Sequence, residues 1–272
     1  PLKVLHEYQM RIAEIKATLN WIMGASLSDL KVRSASSSSR LRLLPSSAIV
    51  LNELIDCFNP KKIALSSYGI REGLLYSAMD KKLRELDPLL EACRHIESTA
   101  ARMPGFGLTL FNFIMPLFET SEKNFVRLIK AACFLHDVSW RAHPDYRAEV
   151  CFDNATRANL GGIDHQGRAF LAIALLYRYK SPKKSETFSK VFSILAKEDK
   201  RRAEILGKAM RFGAMLSGST AASMGKLELD NSKKLLKLKI SEKNKDLFGE
   251  VVQQRFESVA LRMSYKPLIV WV

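Results

Sequence analysis

The sequence predicts a mainly α protein, with an α/β segment ahead of the helices and a small α+β element after them. Three observations predict it. Between residues 89 and 217 apolar residues recur with helical spacing in one stretch after another. Pro104-Gly105, His143-Pro144, Gly161-Gly162 and Ser181-Pro182 punctuate those stretches. Ahead of them, the apolar run 62–67 suits a buried strand that turns through two glycines into a helix. Beyond Gly218, residues 226–230 and 234–240 read as strands on either side of Asn231-Ser232, a hairpin signal.

In chain order, residues 3–9 alternate like a strand and 11–22 form an amphipathic helix. The serine-rich stretch 26–39 reads as a short helix and loop. Leu43-Leu44-Pro45 leads into a helix over 47–58, which Asn59-Pro60 stops. The strand at 62–67 follows, then a helix over 74–79. The charged run 81–88 marks a boundary, so two domains are expected, 1–82 and 83–272. The second is expected to hold helices over 88–102, 107–119, 122–137, 146–158, 164–180 and 186–217. In the last of these, Lys197 to Arg202 reads as a solvated face. Its tail, 218–272, adds the hairpin, a helix over 245–260 and a strand over 268–272. Residues 1–82 are too few for a whole α/β domain of this kind, and the chain opens on Pro1 rather than Met. Both suggest a piece of a longer protein.

Charge bounds the partners. The 272 residues hold 43 basic and 28 acidic side chains, a net charge of +15, and the isoelectric point is near 9.7. Such an excess draws polyanions, and by itself it does not separate nucleic acid, polyphosphate and an anionic membrane. The longest apolar run, 108–118, is too short to span a bilayer and carries Asn112 and Pro116, so no membrane partner is expected. Cys57, Cys93, Cys133 and Cys151 are widely spaced with no CxxC pair. They predict neither a zinc knuckle nor a disulfide framework, and a reducing cytoplasm is the default setting. No Walker-type loop, Gly-x-Ser-x-Gly elbow, Cys/His nucleophile pair or paired-carboxylate motif occurs.

The polar residues concentrate between 125 and 180. An apolar helix over 125–135 delivers His136-Asp137. Trp140-Arg141-Ala142-His143, Tyr146-Arg147 and Asp164-His165-Gln166-Gly167-Arg168 follow, and a second apolar helix ends in Tyr177-Arg178-Tyr179-Lys180. His95 lies upstream on a helix of its own. Arg141, His143, Arg147, His165, Arg168, Arg178 and Lys180, together with His136, suit a phosphate chain, which offers oxygens but no base edges. Taken singly, each reads as a surface residue; it is their density within 136–180 that points to an anion. Tyr177 and Tyr179 suit either base stacking or core packing.

A His-Asp pair closing an apolar helix, with another His upstream, resembles an HD-type domain. Here it is similar to the degenerate HD-like domain at the C-terminal end of the exopolyphosphatase / guanosine pentaphosphate phosphatase family. Tyr68-Gly69-Ile70-Arg71-Glu72-Gly73 resembles a stretch near the end of that family's actin-like (ribonuclease H-like) half. On its residues alone, the string is a turn whose glycines take positive φ, with Arg71 paired to Glu72. Ser38-Ser39-Arg40-Leu41-Arg42-Leu43-Leu44-Pro45 resembles another family stretch, in which Arg40 carries over and Arg42 replaces an acid.

The resemblance implies that residues 1–82 close a second actin-like domain and that an HD-like helical domain follows. It implies His95, His136 and Asp137 as three members of an HD set whose fourth, an Asp, falls at Ala214 in Arg211-Phe212-Gly213-Ala214. Alanine has no atom to bind a metal, so none is expected in this chain; Asp145 and Asp153 are the first candidates for a substitute ligand. The family's catalytic Glu and glycine loops belong to a half this sequence lacks, so no catalytic residue is expected here. The intact enzyme so implied would be a cytoplasmic homodimer. It would release terminal phosphate from inorganic polyphosphate, or hydrolyse guanosine pentaphosphate, using Mg²⁺ bound in the other half. This region would bind the chain, and nucleic acid is not an expected partner. A non-enzymatic polyanion-binding or dimerisation module is the reading from another class. A stand-alone metal phosphohydrolase is a third, and Ala214 argues against it.

Overall fold

The structure, a computed structural model, describes residues 2, 4–34, 36–118, 122–180, 186–217 and 224–272. It is mainly helical and divides into two compact units, 5–74 and 1–4 with 75–272.

In the smaller unit, β1 (Gln9–Met10) pairs antiparallel with β2 (Ile63–Ala64). The strands expected over 3–9 and 62–67 shrink to these two-residue pieces. Beyond them the backbone turns: Glu7 takes a positive φ of 62°, and its amide bonds the Leu65 carbonyl at 2.8 Å. Three helices follow the first strand: α1 (Ile12–Gly24), α2 (Leu27–Arg33) and α3 (Ser38–Phe58). Ser26 and Asp29 close a capping box at the start of α2. The third helix starts at 38 rather than 47 and runs through Pro45. Leu41, Ala48 and Ile55, seven residues apart, make one buried stripe along it. Burying that seam outweighs the one amide bond that Pro45 cannot donate. Ile15 and Leu19 of α1 pack with Ala48 and Ile55 to form a small core. Leu43, Val50, Leu54 and Phe58 of α3 remain exposed.

The next helix, α4 (Ile70–Ala78), begins at 70 rather than 74 because the Glu72 carboxylate accepts the Gly69 amide at 2.7 Å and caps it. Neither Gly69 nor Gly73 takes a positive φ. The turn expected at this string is therefore a helix start, and Glu72 serves the backbone rather than Arg71.

The larger unit opens with α5 (Lys81–Arg84), α6 (Pro88–Ala100) and α7 (Phe106–Ile114), the last extended by a 3₁₀ turn, Met115–Phe118. Next come α8 (Lys123–Leu135), α9 (Arg147–Arg157), α10 (His165–Tyr179), α11 (Glu186–Phe192) and α12 (Lys197–Leu216). The centre is α10: every residue from 167 to 176 is buried, so the helix is enclosed on all sides, and α8, α9 and α12 pack against it. The single helix expected over 186–217 is two. Glu198 and Asp199 stand in the first turn of α12, where carboxylates favour a helix start. Leu195 buries the connection ahead of it.

The chain closes with β3 (Lys226–Asp230), β4 (Leu235–Ile240), a 3₁₀ turn (Glu242–Leu247), α13 (Glu250–Met263) and β5 (Lys266–Trp271). The expected hairpin forms, with Leu227 opposite Leu238, and β5 joins β4 in parallel after α13. Leu236, Leu238 and Ile240 point into the core while Lys237 and Lys239 pair with Asp230 and Glu228 on the other face. Among the described residues no helix is long and apolar enough to cross a membrane.

Candidate functional site

The centre of interest is where α8 ends and α10 ends beside it. His136 follows α8 directly and is buried. Its Nδ1 lies 2.8 Å from the Cys133 carbonyl, which places the ring proton on that nitrogen. Burial, with the charges of Arg178 and Arg102, pushes its pKa down to about 3. At neutral pH His136 is therefore a neutral ring and carries no charge for an anion. Asp137 is buried as well, and Arg102 stands 3.4 Å from its Oδ2. The Tyr179 hydroxyl donates to the His136 carbonyl at 2.9 Å and so ties the two helix ends together. Trp140 Nε1 donates to the Ala100 carbonyl at 3.1 Å, fastening the following loop to the end of α6.

The other members of the HD set lie elsewhere. His95 is exposed on α6, whose buried face is Leu89, Cys93 and Glu97. Ala214 is half-buried on α12, Asp145 is exposed beside His143, and Asp153 pairs with Arg157. Among the described residues no three His, Cys, Asp or Glu side chains come together as a metal donor set. Glu97 instead accepts the Gly107 amide at 2.7 Å, capping α7. Burial raises its pKa, and the amides of Gly107 and Gly105 oppose that rise. A Cβ at 107 would stand 2.7 Å from the Cys133 carbonyl, so glycine is needed for this approach. Cys93, Cys133 and Cys151 are buried, free thiols, and burial pushes Cys93 up to about 12.

The basic residues divide by environment. Arg141, stacked 4.6 Å over the Trp140 ring, and His143 are exposed. Lys180 pairs with Glu149 at 3.0 Å and also lies 3.5 Å from the Asp145 carbonyl, close to that same loop. Arg147 is half-buried, its Nε donating to the Ala142 carbonyl at 2.9 Å, and His165 opens α10, half-buried. Arg168 is 0% exposed: its guanidinium donates to the carbonyls of Ala158 at 2.6 Å and Leu160 at 3.0 Å, holding the end of α9. It therefore sits inside the protein. Arg178 is 9% exposed, and among the described residues its buried Nε has no hydrogen-bond partner. Of the residues marked in the earlier helices, Arg40 and Arg71 are exposed. Reading the sequence missed Glu97, Arg102, Arg211 and Arg255. Only Glu97 left a signal, standing one turn after Cys93 on the apolar stripe of α6.

These features define a helical domain rich in arginine, with no metal donor set among its described residues. Residues 98–270 match the family model described as exopolyphosphatase, C-terminal, and the chain belongs to that family. It is 24% identical over 179 residues to guanosine-5'-triphosphate,3'-diphosphate pyrophosphatase of Aeromonas salmonicida, covering 62% of this chain and 35% of that protein. It is 28% identical over 176 residues to Retrograde regulation protein 2 of Saccharomyces cerevisiae, covering 62% and 29% respectively. The chain thus spans about a third of the length of these curated relatives.

Proposed function

We propose that this chain is the C-terminal region of a phosphatase that removes terminal phosphate from inorganic polyphosphate, and that its helical body binds the polyanionic chain. The match of residues 98–270 to the exopolyphosphatase C-terminal family carries this reading, and the net charge of +15 supports it. Arg141, His143, Arg147 and Lys180 are read as the residues that meet such a chain. The helical body is read as an HD-like domain without its metal chemistry, and residues 1–82 as the close of an actin-like domain. The apolar side of α3 that stays exposed at Leu43, Val50, Leu54 and Phe58 is what the rest of such a domain would cover. Mg²⁺ and the catalytic step are assigned, by the family resemblance, to a half of the enzyme other than this region. The intact protein would be a cytoplasmic homodimer. Guanosine pentaphosphate is the second reading, favoured by the name of the Aeromonas salmonicida relative.

Titrating the 272-residue chain with labelled polyphosphate and with guanosine pentaphosphate at several salt concentrations tests this. Polyphosphate affinity should fall steeply as salt rises, because binding displaces counterions. Replacing Arg141 and Lys180 by Gln should flatten the slope, and replacing Lys197 and Lys200 should change it less. The chain alone should release no phosphate when Mg²⁺ is added. Preference for guanosine pentaphosphate over a polyphosphate of equal charge would move the assignment to the second reading. Binding of neither ligand at low salt would end both.

A further inference from the structure

Arg178, Arg211 and Arg255, from three helices, come together with no acid paired to any of them, and Arg178 also faces His136. The meeting point is set by how closely α10 and α12 cross. A Cβ at Gly207 would lie 2.4 Å from both the Ala174 carbonyl and the Tyr177 Cβ. Arg178 follows Tyr177 at that crossing, and Arg211 stands one turn past Gly207 on the same face of α12. The third helix, α13, runs antiparallel to α12: Arg262 pairs with Glu204 at one end, and the rings of Phe256 and Phe212 lie 5.2 Å apart toward the other. Arg255 and Arg211 each immediately precede one of those rings.

Other arginines in enclosed places are held through their terminal nitrogens or by an acid, whereas among the described residues Arg178 has only the Tyr179 ring, 4.8 Å from its guanidinium carbon. Arg168 holds backbone carbonyls, Arg127 forks onto Asp87, and Arg262 pairs with Glu204. At this crossing the pattern fails. Among the described residues Arg178, Arg211 and Arg255 make neither an ion pair nor a hydrogen bond, and the Nε atoms of Arg178 and Arg255 are buried without partners. Glu204, two turns before Arg211 on α12, is engaged by Arg262 and Lys208, and Asp137, next to His136, by Arg102. The three charges repel one another: burial, then Arg255, then Arg178 pull the Arg211 guanidinium down to about 10. Arg178 also depresses His136. Gathering like charges in a half-buried place without hydrogen bonds is costly to the folded chain alone. A compact anion carrying at least two charges and several acceptor oxygens removes that cost, and forked guanidinium donors fit a tetrahedral phosphoryl group.

We propose that Arg178, Arg211 and Arg255 form a phosphoryl-binding site where α10, α12 and α13 meet. The inference deepens the proposed function and rests on it for the choice of phosphate over other oxyanions. The phosphoryl group comes either from a short free species, orthophosphate or pyrophosphate, or from a residue within a longer phosphoanhydride chain.

The test titrates the 272-residue chain by calorimetry with orthophosphate, pyrophosphate, tripolyphosphate and long polyphosphate. The variants are Arg211→Gln, Arg255→Gln and Arg211→Lys, with Lys197→Gln on an exposed surface as control. Each Gln variant should lose about tenfold or more in tripolyphosphate affinity, the scale of one charged hydrogen bond. Arg211→Lys should lose less, and Lys197→Gln should match the parent. The ligand-free melting temperature provides the second readout. The Gln variants should melt at or above the parent temperature, because repulsion has been relieved, whereas an arginine with a structural role would lower it. Saturation by pyrophosphate as tight as by tripolyphosphate supports the site with a short ligand; affinity that climbs with chain length supports it with a chain. Unchanged tripolyphosphate affinity in both Gln variants, or no binding of any of the four species by the parent, overturns the proposal. Unchanged tripolyphosphate affinity in those variants, with long polyphosphate still bound, would sink this site while leaving the proposed function standing. Short phosphates bound through the trio, with long polyphosphate rejected, would do the reverse.

Discussion

A histidine at the end of an apolar helix is governed by what surrounds its ring. His136 is enclosed, donates to Cys133, and faces the charges of Arg178 and Arg102. The unfolded chain takes up a proton near 6.5, whereas the folded protein resists until about 3. The unfolded state thus binds more protons through that window. Stability is therefore fully present above 6.5 and falls as pH drops toward 3, by about 2 kcal/mol between pH 7 and pH 5. Urea denaturation of the parent and of His136→Asn at those two pH values checks this. Asparagine keeps a donor for the Cys133 carbonyl but does not titrate, so its pH slope should be smaller by that amount; equal slopes would refute the account. The same surroundings explain what residue-by-residue reading could and could not reach. His136, Arg168 and Arg178 looked alike in sequence as possible cations. The first is neutral, the second holds the carbonyls that end α9, and the third has no such partner. Their difference lies in neighbours that the fold brings up, such as Arg102 and Arg178 beside His136 and Leu160 beside Arg168, which spacing along the chain does not encode.

Helices were legible where one face or every face of them is apolar. The central α10 reads directly from its run of Phe, Leu, Ile and Ala, and the hairpin of β3 and β4 from its alternation. Elements whose limits depend on a competing local signal were not. Pro45 looked like a helix start, yet the stripe at Leu41, Ala48 and Ile55 carries α3 across it. A long amphipathic pattern hid the break before α12. The crossing of α10 and α12 gives this scale its prediction. At Gly207 an added methyl meets backbone and a Cβ at 2.4 Å, groups that cannot swing aside as a flexible side chain end would. The helices must separate to admit it, although alanine is the better helix former. Gly207→Ala should lower stability by about 1–3 kcal/mol, the usual range for overpacking. Equilibrium denaturation measures it, and a midpoint equal to or above the parent's would show that the close approach is not needed.

Across the whole chain, the two units differ in how much each can bury. The larger surrounds α10 with residues from α6 through α13 and the final sheet. The smaller has a core of Ile15, Leu19, Ala48 and Ile55, with Met10, Ile12, Ile22, Met23 and Ile63 partly buried against it. Its α3 leaves Leu43 at 63% and Phe58 at 75% exposure, so apolar surface that could add to that core contributes nothing. Small domains bury a smaller fraction of their surface and are the more marginal for it. Residues 5–74 should therefore unfold at a lower denaturant concentration than the rest. The tryptophans make this measurable: Trp21 lies in α1, beneath the Arg33 guanidinium, while Trp140 and Trp271 lie in the larger unit. In a Trp140→Phe, Trp271→Phe variant, fluorescence reports residues 5–74 alone, and far-ultraviolet circular dichroism reports all helices together. The fluorescence transition should precede most of the dichroism change, since α6 to α10, α12 and α13 hold more of the helix than α1 to α3. Coincident transitions would refute the weaker stability of the smaller core.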